Sequence, residues 1–507
     1  MVKKEFIAKP FEATTQQHAI FIHENDAVDL GVDVGDRVKL SLDDNDLIAV
    51  VETTTSLVEE GFIGTFSKVT DCLALEKGDK IGLNPTSTPD SVKYIRKKIG
   101  GGILSESEIH SIIEDIVEGE LTDQEMTAFL VAEEMGGTSL EERMAMTKSM
   151  VDTGQVIDFE REPVMDVHSI GGIPGNDYAM ITVPIAAAAG FTVPKTSSRA
   201  ITSPAGTPDV MEVLCDVSFS LEEISEIVEE VGAVLAWGGA VNLAPADDIL
   251  VKLERSLSID PRGQMLASVL SKKMSVGSDE ILIDIPTGSG AKVESHEEAK
   301  DLAHDFMDLG HKLGLDIETA ITYGGQPLGY NVGPGLEARE VLRTLRGEGP
   351  KSLVEKGCSL AGILLEMAGE AKFGKGKDLA LDILESGEAL DKMRDIIECQ
   401  GGDPEVELDD LPLGDCTGEF CAPRSGYVKK IDNSVITEMA RKAGSPKDKG
   451  AGLKLFYKEG QKVEEGEPLV RVFSEYENKL GDAMMLAKNE PPVSIETMLL
   501  ERYSGSR

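Results

Sequence analysis

The chain of 507 residues is long enough for several domains, and with 41% hydrophobic residues it can bury sizeable cores. Its 91 acidic against 50 basic side chains give a formal net charge of −41 and a pI near 4.5, a surface that repels nucleic-acid backbones and anionic membranes. The N-terminus MVKKEFIAKPFEA has no apolar signal core, no basic stripe suits a duplex, and no apolar run reaches the ~18 residues of a membrane span. The six cysteines are scattered; only Cys416 and Cys421 are close, and their spacing fits no zinc pattern. A cytoplasmic protein with reduced thiols is expected.

Residues 1–85 predict a small β-barrel-like domain. AIFIH (19–23), RVKLSL (37–42), IAVVETT (48–54) and IGLN (81–84) are β-branched or alternating, between Gly and Asp turns. The phrase LGVDVGDRVKL (30–40) returns as LALEKGDKIGL (73–83), which predicts two copies of one turn-and-strand unit, as in double-psi or swapped-hairpin barrels. No catalytic grouping lies there. Residues 86–163 predict a helical domain. Thr122-x-x-Glu125 and Thr138-x-x-Glu141 read as capping boxes, and Ile109, Ile112, Ile113, Ile116 and Val117 form an apolar stripe.

The chemistry concentrates at the start of an α/β domain assigned to residues 164–405, with some helices contributed to the helical domain. Met165 to Val210 reads strand, Gly-rich turn, helix, strand, hydroxyl-rich turn. The first turn holds His168, Gly171, Gly172, Pro174 and Gly175; the apolar run Ala179–Gly190 has helical length, and Phe191–Pro194 is strand-like. In open α/β sheets such turns cap strand C-termini, where backbone N–H groups face an anion. HSIGGIPGN lacks the spacing of GxGxxG and of the Walker loop, so the weight falls on the second turn. Between Thr196 and Ser203 it carries five hydroxyls and Arg199. A ligand bearing phosphate is expected.

Downstream, VLAW (234–237) reads as a buried strand, and Asp247 and Asp248 as first-turn acids complementing a helix dipole. SLSIDPRGQMLASVLSKK (256–273) sets Asp260 before Pro261 at a helix start, with Ser268 about two turns later on the same face. After the strand ILIDIP (281–286), TGSGAKV (287–293) lets Lys292 reach an anion, without the hydroxyl that a Walker motif requires. His304 and His311 are too far apart to chelate one metal. DIETAITYGGQPLGYNVG gives a strand and a Gly-rich loop, and helices are predicted over 335–346, 351–373 and 376–397. Residues 406–507 form a C-terminal α+β domain. Its AGLKLFYKEGQKVEEGEPLVRV looks like a biotinyl-lipoyl hammerhead but has no acceptor lysine at the tip, so its role is structural.

Several of these segments resemble one family. PKTSSRAITSPAGTPDVME is similar to the phosphate and sugar segment of the thymidine/pyrimidine nucleoside phosphorylases. HSIGG resembles their KHSTGG turn, ASVLSKK (267–273) their ASILAKK helix, and YGGQPLGYNVG (323–333) their NQPLGRAVG loop. Over nearly its whole length, including the extra N-terminal segment, the chain most resembles the archaeal AMP phosphorylases. The resemblance implies a multidomain α/β fold: the N-terminal barrel, an all-α domain packed on a large α/β domain with a central mixed sheet, and the C-terminal α+β domain. It implies phosphorolysis of AMP to adenine and ribose 1,5-bisphosphate, with CMP and UMP as further substrates and no cofactor or metal. The partners it implies are AMP and inorganic phosphate, and a homodimer that builds larger homo-oligomers through the N-terminal domain. The nucleotide and phosphate positions carried over are Gly172, Ser198, Arg199, Ala200, Ile201, Thr202, Ser203, Thr207, Ser268 and Lys292. Asp260 matches the proton donor, and His168 is the second candidate for acid–base work.

Phosphorolysis asks for phosphate held opposite the base, tolerance of positive charge on the sugar, and a proton for the departing base. The hydroxyl turn serves the first, the phosphate dianion the second, and a carboxylic acid kept protonated by burial and neighbouring phosphates the third. The chain departs from the nucleoside enzymes in ways that bear on substrate. Val167 replaces the lysine of KHSTGG, Ser203-Pro204-Ala205-Gly206 replaces HTGG, and Arg255 is displaced from the arginine of YALRD. A substrate that brings its own 5′-phosphate suits this, with Arg199 and Lys292 as its partners. The alternatives are a pyrimidine nucleoside phosphorylase, a Mg²⁺-dependent phosphoribosyltransferase of the anthranilate type, and a non-catalytic nucleotide-sensing or assembly protein on the same scaffold.

Overall fold

The computed structural model describes residues 4–15, 18–43, 45–159, 163–200, 203–241, 243–498 and 503. By internal contacts the chain divides into two units. One comprises Met1–Gly154 and Ala244–Ser268; the other comprises Gln155–Leu243 and Val269–Arg507.

The first unit begins with a closed barrel. Its strands are β1 (Lys4–Pro10), β2 (Ala19–His23), β3 (Arg37–Leu42), β4 (Asn45–Thr54), β5 (Phe62–Thr65) and β6 (Lys80–Pro85), in the order β1-β5-β2-β4-β3-β6. Two pairings are parallel, β1 with β5 and β2 with β4; the others are antiparallel. The repeated phrase is a repeated turn. Asp36 accepts from Asp33 N–H at 2.8 Å as Asp79 accepts from Glu76 N–H at 2.8 Å. Gly35 N–H bonds Val51 O at 2.9 Å and Gly78 N–H bonds Ala8 O at 3.0 Å. Both glycines lie at positive φ, +91° and +101°, which explains why each copy reads Gly-Asp. The core is Phe6, Ile20, Ile22, Leu40, Val51, Ile63, Ile81 and Leu83. β1 and β5 escape a sequence reading because one is flanked by charge and the other is four residues long.

The helices Ser91–Ile99, Glu106–Val117, Asp123–Gly136, Leu140–Asp152 and Pro245–Leu257 complete this unit. They share a core of Ile109, Ile112, Ile113, Ile116, Phe129, Met146, Leu250 and Leu253. Thr122 and Glu125 form the expected capping box. The next box is Ser139–Glu142, one residue later than the sequence suggests. Thr138 is otherwise engaged: its hydroxyl accepts from Arg143 Nε at 3.1 Å, and it packs on Gly263 where no Cβ would fit. Glu142 also closes a buried ion pair with Lys98 at 2.7 Å.

The second unit is built on β7 (Met165–Ser169), β8 (Val193–Ser197), β9 (Ala233–Trp237), β10 (Glu280–Thr287) and β11 (Asp316–Tyr323). The orders are β11-β10-β7 and β8-β9, linked by a Val164–Thr192 bridge and a Met165 N–H to Thr192 O bond of 2.8 Å. The sequence reading expects a mixed sheet. Every pairing among these strands is parallel, because each is separated from the next by helices that bring the chain back to the same edge. The helix Ala179–Ala188 is buried against Lys351–Met367 within the main core. The predicted helix 376–397 is two, Gly376–Ser386 and Glu388–Cys399, broken where Gly387 takes φ +91°.

The C-terminal part adds β12 (Asn331–Val332), β13 (Cys416–Cys421), β14 (Gly426–Ile431), β15 (Gly452–Leu455), β16 (Lys462–Val463), β17 (Pro468–Ser474) and β18 (Val493–Glu496). Two sheets, β12-β15-β17-β13 and β16-β14-β18, enclose Val428, Ile436, Leu453 and Val470 with two helices. Through β12 the loop after β11 becomes a strand of the C-terminal sheet. Asn433 Nδ2 holds that loop at Gly324 O (2.9 Å), and Lys458 Nζ at Pro327 O (2.6 Å). No helix among the described residues is long and apolar enough to cross a membrane.

Candidate active site

In the second unit the expected ligand residues gather at the C-terminal ends of β7, β8 and β10. Gly171, Gly172 and Gly175 all have positive φ (+84°, +90° and +64°), so the turn after β7 needs them. Gly172 backs directly on Lys292: an added Cβ would stand 3.4 Å from Lys292 N. Two residues far apart in sequence are thus neighbours, and Lys292 is exposed beside the turn.

The hydroxyl turn is fixed from beneath by Asp209. This buried carboxylate accepts from Ala200 N–H at 2.7 Å and from Gly206 N–H at 2.9 Å, tying both ends of the turn to the short helix Thr207–Met211. Gly206 is required there, since a Cβ would meet Ser198 O at 2.8 Å. Ser203 Oγ donates to Ala205 O at 2.8 Å, and Ser198 is exposed. Ile201 and Thr202 lie outside the described residues.

Arg199 differs from expectation. Its guanidinium forks onto Glu212 at 2.6 and 2.8 Å and lies over the Trp237 ring at 4.7 Å. Glu212 also receives Lys449 from the C-terminal part at 2.7 Å. Its bond to Arg199, against a smaller opposing effect of burial, and then its contact with Lys449 hold its carboxyl down at about 2. A 5′-phosphate reaching the guanidinium would have to share it with Glu212.

Behind these turns lies a layer of buried charge that the sequence does not announce. Asp166, on β7, pairs with Lys273 at 2.6 Å. Asp284, on β10, pairs with Lys356 at 2.7 Å and accepts from Thr322 Oγ1 at 2.6 Å. His168 is held well below its ordinary pKa, first by desolvation and then by Lys273, Lys195, Lys272 and Lys292. It is therefore neutral near pH 7 and has no imidazolium proton to give. On the turn after Gly175, burial raises Asp177 to about 7 and Glu337 well above the carboxylate range, with Glu340 adding to both. The two carboxyls interact, which ties this turn to the helix Pro334–Leu345.

Asp260 and Ser268 belong to the first unit. Asp260 follows Ser258, whose φ is +54°, and precedes Pro261 and the helix Arg262–Ser275. The helix starts as expected, but Asp260 is exposed where the sequence reading expects burial. Ser268 is partly buried, two turns on. Among the described residues no group of three His, Cys, Asp or Glu side chains is placed to hold a metal, and all six cysteines are free. Lys195, Asp166, Lys273, Asp209 and Glu212 were not singled out by sequence. The available signal was a charge inside an otherwise apolar strand, as in MDVHS and FTVPKT.

This arrangement is that of the glycosyl transferases whose helical bundle precedes an α/β domain. The chain matches the glycosyl transferase family helical bundle domain over residues 92–154, the family's a/b domain over 161–390, and the pyrimidine nucleoside phosphorylase C-terminal domain over 427–494. Its fold is similar to anthranilate phosphoribosyltransferase from Thermus thermophilus, with a TM-score of 0.52 at 22% identity, covering 62% of this chain and 99% of that one. Far closer in sequence are the AMP phosphorylases of Thermococcus kodakarensis (52% identical, over 96% of this chain and 97% of the relative) and Pyrococcus furiosus (52%, over 97% and 98%). That of Methanosarcina mazei is 46% identical, over 97% and 96%. The chain belongs to the AMP phosphorylase family.

Proposed function

We propose that the protein catalyses phosphorolysis of nucleoside 5′-monophosphates, AMP and phosphate giving adenine and ribose 1,5-bisphosphate, with CMP and UMP as further substrates. The reading is carried by roughly half-identity, over nearly the full length, to relatives named AMP phosphorylase. The turns at 170–176, 198–207 and 287–293 hold the phosphates. A phosphate oxygen bonds to C1′ as the bond from C1′ to the base nitrogen breaks, and Asp260 gives the base its proton. The neutral state of His168 supports that assignment. Free thiols fit a cytoplasmic enzyme.

Release of adenine from AMP is expected to be far faster than from adenosine, to require phosphate or arsenate, and to ignore EDTA. Equal turnover of adenosine or thymidine would sink the nucleotide assignment. A strict Mg²⁺ requirement would favour the transferase alternative.

Four functional modules, 1–85, 86–163, 164–405 and 406–507, follow from this reading. The barrel in 1–85 is assigned to assembly of a homodimer into larger homo-oligomers. Removing residues 1–84 should lower the particle mass in light scattering while adenine release persists, and an unchanged mass would refute the assembly role.

A further inference from the structure

Lys195 sits on β8, in a strand otherwise buried among apolar side chains, and is only 3% exposed. Its Nζ donates to Thr196 O at 2.7 Å and to Ser197 Oγ at 2.6 Å. Lys273, 1% exposed, donates to the same Thr196 carbonyl at 3.3 Å. Two buried ammonium groups therefore share one carbonyl. The carboxylate they face, Asp166, is 0% exposed and already committed: one oxygen takes Lys273 at 2.6 Å, the other Val167 N–H at 2.7 Å.

A buried charge without a counter-charge costs several kcal/mol unless something neutralises or balances it. Two resolutions exist here. Either Lys195 gives up its proton or an anion arrives. Ser197 lies between Lys195 and the exposed turn that begins at Ser198. Because its oxygen accepts from Lys195, the Ser197 O–H is left to donate, the polarity that a phosphate oxygen requires.

We propose that Lys195 is a positioning residue of the reaction: it turns the Ser197 hydroxyl toward the turn as a donor, and its ammonium is balanced by a bound phosphate group. The inference rests on the phosphorolysis reading. Burial and then the charge of Lys273, opposed by Asp166, bring Lys195 down to about 7 in the unliganded protein. The groups facing it and its neighbour His168 are Lys273, Asp166, Lys272 and Lys292. Above pH 7 Lys195 is then largely neutral, and an arriving anion draws a proton onto it. Binding of phosphate at pH 8 includes that uptake.

The test is titration of inorganic phosphate, and separately of AMP, into the full chain at pH 8 in buffers of different ionisation enthalpy. Lys195→Met should weaken one of the two ligands roughly 10-fold or more, the scale of a hydrogen bond to a charged group. Which ligand weakens tells whether the balancing anion is the inorganic phosphate or the nucleotide's own. The same variant should lose the proton uptake seen in wild type while leaving the other ligand's affinity within a few-fold. Ser197→Ala should weaken the same ligand, and the double variant should be no worse than the weaker single. Unchanged affinity for both ligands, or equal loss of both, overturns the proposal. If Lys195→Met does not fold, Ser197→Ala decides alone, and unchanged affinity of that variant for both phosphate and AMP is fatal. These titrations need no turnover. A wild-type chain that binds phosphate but never releases adenine from AMP would refute the reaction, and not the role of Lys195.

Discussion

Asp260→Asn is expected to lower kcat on AMP by about 10²–10⁴, the usual range for loss of a general acid, while AMP binding stays within a few-fold. Asparagine keeps the size of the side chain and serves equally well before a helix start, but it has no proton to deliver. Asp260 is exposed, so its replacement should leave the melting temperature almost unchanged, and a fall in kcat then reports chemistry. The loss should shrink for a nucleotide whose base departs readily without protonation. A different outcome would redirect the assignment: near-wild-type kcat for Asp260→Asn, with activity abolished by His168→Asn, makes His168 the acid despite its neutral resting state.

The largest effect on stability is expected from Lys273→Met. The change strands the Asp166 carboxylate, which is wholly buried and has lost its partner at 2.6 Å. Removing one member of a buried pair costs about 3–5 kcal/mol, because the remaining charge keeps its desolvation penalty. Replacing both, Lys273→Met with Asp166→Leu, should recover most of it, since a packed apolar pair avoids the penalty altogether. Denaturant midpoints of the three variants decide this, and a single variant as stable as wild type would show that the pair is not balanced as the geometry indicates. Lys195→Met, at the lysine that shares the Thr196 carbonyl, is expected to cost little by comparison, because among the described residues Lys195 bonds a carbonyl and a hydroxyl and strands no carboxylate when it is removed.

The contrast between these lysines marks where the sequence stops being legible. β2 and β3 fall on AIFIH and RVKLSL to the residue, because a short apolar run between polar segments and a period-two alternation after Gly-Asp are local signals. The capping frame at Thr122 and the strand cores of the second unit are local too. What is not local is partnership. Asp166 and Lys273 are 107 residues apart, and nothing in MDVHS or ASVLSKK names the other. The absence of a lysine at Val167 is visible in the sequence, whereas a lysine three residues beyond the Val164–Thr192 bridge on the neighbouring strand, Lys195, takes meaning only once the strands are aligned. Arg199 shows the opposite case. Its place in the hydroxyl turn suggests a phosphate ligand, and only the fold reveals Glu212 closing its guanidinium.

The N-terminal barrel carries a consequence for synthesis. Its first strand, Lys4–Pro10, hydrogen-bonds to Phe62–Thr65 and Lys80–Pro85, both of which are made more than fifty residues later. A nascent chain emerging from the ribosome therefore presents β1 with bare edges until β6 is out. Unpaired edges recruit other strands, so the wait is the interval in which this protein is most prone to pair with its siblings on the same message. Closure in one late step also means that no half of the duplicated unit is useful alone, and truncations ending before Pro85 should be found in aggregates.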